Sequence, residues 1–546
     1  MLAVLSGKGG TGKSTIAVGL SHILSRPLYG ADVESPTTMI IYGDQPIRKK
    51  PVYRRVAEVD EGLCTGCGVC VESCPFGAIM LLGKAYIDPE VCEGCLACKA
   101  SCPVGAIREK RIEVGEIRYG KHVVEGALKP GEKESRVVLE ELLREVPKNA
   151  IVDGAPGASP LVYRIARKAD EVILVVEPIK TSIVDASRVL EILARLKRPT
   201  AIIANKATLG DVRLIEELSE KYGVPIIARI SFHKDLLFKR PLEVKEFLEE
   251  LASIELKFAI PRAFSKPKDL PEAPRGSKFS QHISVVSGKG GTGKTLVAIG
   301  LSRYLGLPLV DADVDAPDSY TLLGNIERKY AIRGRVYRID PEVCDGCGEC
   351  LKACYNYSIE PGEVYRISPE LCEGCGLCVN ACPRNAIKPI EIPFGYIGEG
   401  DNYLVGESEI GRSGIGDFVL KLKSIASEKY DRFVLDGSPG SGCTTISALN
   451  SASLAILVVE PTEESVSSAK RVAEIARHFG VKTLVVINKR IEGIDEKLFE
   501  GLGEIIGRVP FDEAVFEAYA RGERPEGSRA AEALRKISQR LLEYLA

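Results

Sequence analysis

The sequence predicts two α/β domains in tandem, each a mostly parallel sheet with helices on both faces and each interrupted by a small cysteine-rich α+β insert. Three observations carry this. A glycine-rich loop, Gly7-Lys8-Gly9-Gly10-Thr11-Gly12-Lys13-Ser14, followed by Thr15, returns as Gly288-Lys289-Gly290-Gly291-Thr292-Gly293-Lys294-Thr295. Between each loop and a later Asp-Gly-x-Pro-Gly segment lie eight cysteines in repeated spacing. In both halves short aliphatic runs alternate with amphipathic stretches. Lys8 to Lys289 is an offset of 281, Cys64 to Cys344 one of 280 and Asp153 to Asp436 one of 283, so register holds through each half and coincidence is excluded.

The runs Leu2 to Leu5, Ala150 to Val152, Val172 to Val176, Ala201 to Ala204 and Ile226 to Ile230 read as strands buried on both faces. Their counterparts are Ile283 to Val286, Phe433 to Leu435, Ala455 to Val459, Leu484 to Ile487 and Glu504 to Val509. Helix Ser14 to Ser25 places Ile16, Leu20, Ile23 and Leu24 on one face. The copies are residues 1–262 and 281–546, with inserts at 57–110 and 337–390. Residues 263–280, with Pro267, Pro271, Pro274 and Gly276, form a linker. The last helix, Ser528 to Ala546, has a mid-chain partner near Leu242 to Phe258, so it reads as a packing helix and not a membrane tail.

With 546 residues and a net charge of −2, the chain is long enough for two large cores and carries no basic footprint for nucleic acid. It opens without a basic leader, and no apolar run approaches the roughly 18 residues of a membrane span, so a cytoplasmic protein without a membrane anchor is expected. Seventeen cysteines in a reducing compartment point to metal binding. No Trp, three Met and abundant Lys and Glu hint at a thermophile.

Successive glycines turn backbone N–H groups into an anion nest at a helix N-terminus. Lys13 and Lys294 are placed to reach the outer phosphates of a nucleotide, and Ser14 and Thr295 to set a hydroxyl on Mg2+. Asp153 and Asp436 end hydrophobic strands, where a carboxylate supports magnesium through water. Gly157 and Gly440 suit a segment that senses the terminal phosphate. Asn205-Lys206 and Asn488-Lys489 also end strands; guanine-reading loops add an Asp two residues later, and Thr208 and Ile491 stand there, so the nucleotide is ATP.

The extra lysines Lys8 and Lys289 make these loops resemble the deviant Walker family of MinD, ParA, Mrp and the nitrogenase iron protein. The resemblance implies that each extra lysine completes the opposite site of an internal pseudo-twofold dimer, Lys8 that of Lys294 and Lys289 that of Lys13, in a monomeric chain. It also assigns Asp32 and Asp313 to orienting the attacking water. The second copy reads Asp311-Ala312-Asp313, whereas the first reads Gly30-Ala31-Asp32 and lacks a counterpart of Asp311. Ser231-Phe232-His233 stands where the second copy has Pro510-Phe511-Asp512, near the expected adenine side, so the two sites are expected to be unequal.

The cysteines follow bacterial two-cluster ferredoxin spacing, in which three close thiolates hold one 4Fe-4S cluster and the fourth reaches its neighbour. This predicts four clusters, on Cys64, Cys67, Cys70 and Cys102; Cys92, Cys95, Cys98 and Cys74; Cys344, Cys347, Cys350 and Cys382; and Cys372, Cys375, Cys378 and Cys354. Tyr355 replaces the proline that follows the other fourth cysteines. Cys443 remains; its counterpart is Pro160, so a symmetric bridging cluster is not expected and it reads as a packed residue. The expected function is ATP-gated electron transfer to a redox or metallocofactor partner protein. The alternatives are an Mrp-like assembly ATPase and a MinD-like spatial organiser.

Overall fold

The computed structural model describes every residue except 75–77, 90, 130–131, 133, 264–269, 275–280, 316, 318, 410, 413–415, 441–442, 491–495 and 546. Most of the expected linker and the Cys443 side chain lie outside the described residues. Contacts divide the chain into two units, one of Met1–Glu177, Val189–Ala263 and Gly334–Ile392, the other of Pro178–Arg188, Phe264–Arg333 and Pro393–Ala546. The second insert thus interrupts the second copy in sequence but packs with the first copy.

The first unit is built on a nine-stranded sheet in the order Ile226–Arg229, Thr200–Ala204, Glu171–Val176, Leu2–Ser6, Ile151–Pro156, Leu28–Gly30, Val123–Leu128, Ile107–Tyr119, Arg48–Val59. The first seven run parallel, in register such as Leu2 with Ile151 and with Glu171. The last two are antiparallel. Leu2, Val4, Ile173, Val175 and Ile203 are at most 1% exposed, as strands covered on both faces must be. A second nine-stranded sheet repeats the order with Glu504–Pro510 at one end and Glu327–Ile339 at the other.

The edge ribbons carry the inserts. Arg48–Val59 and Ile107–Tyr119 pair from Arg48 opposite Tyr119 to Val59 opposite Ile107, and the cysteines lie in the connection at that far end. Each insert has a short hairpin, Ile79–Leu82 with Lys84–Ile87 or Ile359–Glu360 with Arg366–Ile367, and two one-turn helices. Before each helix the backbone turns left-handed at Gly68, Leu96, Gly348 and Gly376.

The late helices pack as the repeat implies. Helix Lys245–Ala252 lies on the loop-bearing helix Lys13–Leu24, where a Cβ on Gly19 would stand 2.4 Å from Leu251. Helix Arg529–Leu545 does the same in the second copy, with Gly300 against Leu534 and with Leu534, Ile537 and Leu541 buried in the core. No helix among the described residues is long and apolar enough to cross a membrane.

Candidate functional site

In each copy the glycine loop connects the strand beginning at Leu2 or Gln281 to the helix beginning at Lys13 or Lys294. Gly10 and Gly12 have φ of 82° and 84°, and Gly291 and Gly293 of 79° and 82°, values that favour glycine. The last glycine is required twice over, because a Cβ on Gly12 would sit 2.3 Å from Asn205 Nδ2 and one on Gly293 2.1 Å from Asn488 Nδ2. These amides come close because they brace the loop: Asn205 Nδ2 donates to Thr11 O and Asn488 Nδ2 to Thr292 O, each at 2.7 Å. The adjacent lysines extend the brace, Lys206 Nζ donating to Gly10 O at 2.8 Å and Lys489 Nζ to Gly291 O at 2.7 Å. Glu177 and Glu460 anchor those lysines at 2.6 Å and also lie 3.5 Å from Lys8 and Lys289.

Lys13 donates to Asp153 and Lys294 to Asp436, the latter at 2.7 Å, with both carboxylates fully buried. Lys294 also lies 3.3 Å from Asp313 Oδ2. Burial pushes Asp32 and Asp313 up to about 6, while Lys13 and Lys294 oppose the rise. Among the described residues Thr11 Oγ1, Thr292 Oγ1 and Asp436 Oδ2 are buried with no hydrogen-bond partner, orphans of the kind a phosphate oxygen or metal-bound water would satisfy. Ser14 Oγ accepts from Lys13 Nζ at 3.4 Å, at the mouth of the loop.

The second loop opens into a cleft of about 1020 Å³, counting its open mouth, lined by Gly290 to Leu296, Asp313, Asn488, Pro510, Phe511 and Asp512. The Pro510-Phe511-Asp512 segment therefore does share a cleft with the phosphate loop. Asp512 accepts from Ala514 N and Ala530 N, which ties the two terminal helices to the cleft wall. In the first copy the equivalent segment is held differently, Glu250 accepting from Ser231 N at 2.9 Å and lying 3.2 Å from His233 Nε2.

The register sets Gly30 opposite Asp153 as it sets Asp311 opposite Asp436, so Gly30 stands in Asp311's place. The first copy does have a buried carboxylate in the region of Asp311, supplied by the next strand. Gly30 pairs with Glu125, whereas Asp311 pairs with Val405. A Cβ on Gly30 would stand 2.7 Å from Thr38 Oγ1 and 3.1 Å from Glu125 Cγ, so the space is taken. Glu125, 1% exposed and pushed up by burial, accepts from Met39 N at 3.0 Å. Thr38 Oγ1 donates to Asp153 Oδ2 at 2.7 Å; its counterpart Ser319 donates instead to Asp311 Oδ2 at 2.6 Å. Neither Glu125 nor Thr38 is distinguishable from the sequence, because only the strand register brings them to the site.

The structure places the two outer sets of thiols around cavities. Cys64, Cys67, Cys70 and Cys102 line one cavity and Cys344, Cys347, Cys350 and Cys382 another. Burial pushes the Cys98 thiol up to about 12, and Cys95, Cys92 and Cys74 reinforce it; Cys378 is raised likewise beside Cys372, Cys375 and Cys354. Backbone N–H groups four residues on donate to Cys74, Cys102, Cys354 and Cys382 Sγ at 3.3–3.4 Å. Among the described residues no group of three or more His, Cys, Asp or Glu converges closely enough to hold a single metal ion. Tyr355 is buried, donates to Glu373 and lies under the Arg136 guanidinium at 5.1 Å.

Two glycine-turned loops, each with its lysine held by a buried aspartate within the neighbouring strand, define a P-loop nucleotide-binding protein with the module present twice. The chain belongs to the CobQ/CobB/MinD/ParA nucleotide binding domain family, matched over residues 2–241 and again over 283–525. It is 34% identical over 281 residues to an uncharacterized protein, MJ0578, of Methanocaldococcus jannaschii, a match covering 48% of this chain and 97% of that one. A 29-residue stretch, 5% of this chain and 4% of the other, is 66% identical to an iron-sulfur subunit of the CoB–CoM heterodisulfide reductase of Methanopyrus kandleri. Among solved structures, the cell division ATPase MinD of Pyrococcus furiosus is similar at 21% identity and a TM-score of 0.32, over 49% of this chain and 100% of that chain.

Proposed function

We propose that this protein binds and hydrolyses ATP with Mg2+ and uses its nucleotide state to gate electron transfer through four 4Fe-4S clusters to a redox partner protein. The observation that carries the reading is the position of the thiol sets: each insert leaves its copy between the acidic loop of Asp32 or Asp313 and the strand of Asp153 or Asp436. A change in either segment on binding nucleotide bears on the ribbon that holds the cysteines.

The residues fit the groups. Asp436 Oδ2, buried and without a partner among the described residues, suits a magnesium-bound water. The four thiols of an outer set surround a cavity, as ligands of a multi-iron cluster do. Burial raises the Cys70 thiol among them, which leaves cationic iron to stabilise its thiolate. When bound, such a cluster supplies one-electron redox capacity. The protein's part is to fix the thiolates, donate backbone N–H groups to the sulfurs and shield the inner sets from water. The short stretch shared with a protein named as an iron-sulfur subunit supports the same chemistry.

Anaerobic purification with iron and sulfide analysis tests the cluster count, about sixteen irons per chain being expected for four cubanes. EPR-monitored potentiometry with ADP and with a non-hydrolysable ATP analogue tests the gating. Potentials and partner reduction that do not change with nucleotide would defeat the proposal.

A further inference from the structure

The helix after the first phosphate-sensing segment, Pro160–Lys168, carries two faces with different tasks. Val162, Ile165 and Ala166 are buried in the first copy. Tyr163, Arg164 and Arg167 instead hold the second insert. Arg164, 1% exposed, pairs with Glu140 through Nη1 at 3.0 Å and donates through Nη2 to Asn356 O and Oδ1, both at 2.9 Å. Tyr163 OH donates to Glu370 at 3.0 Å and accepts from Ser368 Oγ at 3.3 Å, and Arg167 donates to Glu360 at 3.0 Å.

The groups these side chains hold also position cysteines. Asn356 Nδ2 and Ser358 Oγ both donate to Leu371 O, the carbonyl preceding Cys372. Ser358 N donates to Cys354 Sγ at 3.3 Å, and Cys372 N donates to Ser368 O at 3.0 Å. A continuous path of buried hydrogen bonds therefore runs from the helix to the set Cys372, Cys375, Cys378 and Cys354. At the helix's other end, Gly157, with φ 88°, donates to Ser6 O at 2.9 Å beside the first phosphate loop, and Asp153, on the strand that leads into Gly157, holds Lys13. The second copy lacks the matching arms. At an offset of 283, Ile446, Ser447 and Asn450 stand where Tyr163, Arg164 and Arg167 stand in the first.

We infer that Arg164 is a positioning residue through which the first copy's nucleotide site acts on the inner cysteine set of the second insert, in addition to the second copy's own bearing on that insert through its ribbon. The wiring is crossed, since that insert interrupts the other copy in sequence. A segment that moves with the terminal phosphate tilts the helix, and the helix bears on Asn356 and Ser368, which set the geometry and N–H donation around Cys354 and Cys372. The inference rests on the gating reading above and adds its direction.

The test is EPR-monitored potentiometry of the whole anaerobic protein with ADP and with a non-hydrolysable ATP analogue, the inner cluster of the second insert being identified by its loss in Cys375→Ala. Its nucleotide-dependent shift is expected to shrink more in Lys13→Ala than in Lys294→Ala. The reverse pattern, or equal loss in both variants, overturns the crossed wiring while leaving gating intact. No shift at any cluster in the unsubstituted protein defeats the gating reading itself. Arg164→Lys, which retains the charge opposite Glu140 but not the forked contact to Asn356, is expected to keep its iron content and nucleotide affinity and to lose the part of the shift that Lys13→Ala removes. Should that variant fail to fold, Asn356→Ala gives the same readout, and an unchanged shift in either refutes the role of Arg164.

Discussion

The Asn205 brace makes a sharp energetic test of how the first loop is held. Substituting Gly12→Ala forces a left-handed backbone on alanine, at about 1–2 kcal/mol. It also drives a Cβ to 2.3 Å from Asn205 Nδ2, so the amide must abandon Thr11 O. Losing that buried bond costs about 1–2 kcal/mol more. The loop can relax when empty, so the penalty falls on the nucleotide-binding conformation, and the Kd for an ATP analogue should rise roughly 30- to 900-fold. Asn205→Ala breaks the same bond without the backbone strain. The double variant should therefore fall short of additivity by about 1–2 kcal/mol, because the bond can be lost only once. Titration of a fluorescent ATP analogue in a Lys294→Ala background confines the measurement to the first site. A Gly12→Ala effect under threefold, or two substitutions that simply add, would refute the reasoning.

Other expectations follow from the same geometry. Gly30→Asp alone crowds a second carboxylate against Thr38 and Glu125 and should abolish Mg2+-dependent nucleotide binding at the first site. Gly30→Asp with Glu125→Val recreates the second copy's pairing of Asp311 with Val405 and should restore affinity to within about tenfold, read by the same titration. Burial lowers Lys423 from 10.5 to about 7, its Nζ donating to Ser447 O at 2.8 Å and to Asn450 O near the end of helix Cys443–Leu449. Between those values the unfolded chain binds the extra proton, so stability contributed by this site rises with pH from about 7 to 10.5 and is flat below, by up to several kcal/mol. Urea denaturation at pH 7 and pH 10 should show that rise in the native protein and its loss in Lys423→Met; parallel pH profiles would refute it.

Much of this fold was legible because its parallel strands are nearly pure aliphatic runs, and a strand covered on both faces has little choice of composition. The edge ribbons were not: Arg48–Val59 and Ile107–Tyr119 are charged and half-exposed, and their pairing depends on a partner about sixty residues away. The phosphate loops and thiol sets announced themselves through fixed local spacing. Glu125 did not, because its meaning comes from lying beside Gly30 in the sheet. Arg164 and Asn356 meet across 192 residues, and nothing near either one signals the other. Even Asn205, picked out at a strand end, gained its role as a brace only when the loop closed over it.

That the second insert packs with the first copy has a consequence for symmetry. Two identical half-length chains that dock as a twofold pair must do so reciprocally, and any lever one protomer holds on the other is mirrored back. A covalent tandem escapes that rule. It keeps the two halves at a high effective concentration whatever the dilution in the cell, and it lets one half lose the arms that the other retains. Under the crossed wiring proposed above, fusion of this kind lets the two halves bear unequally on one cluster site.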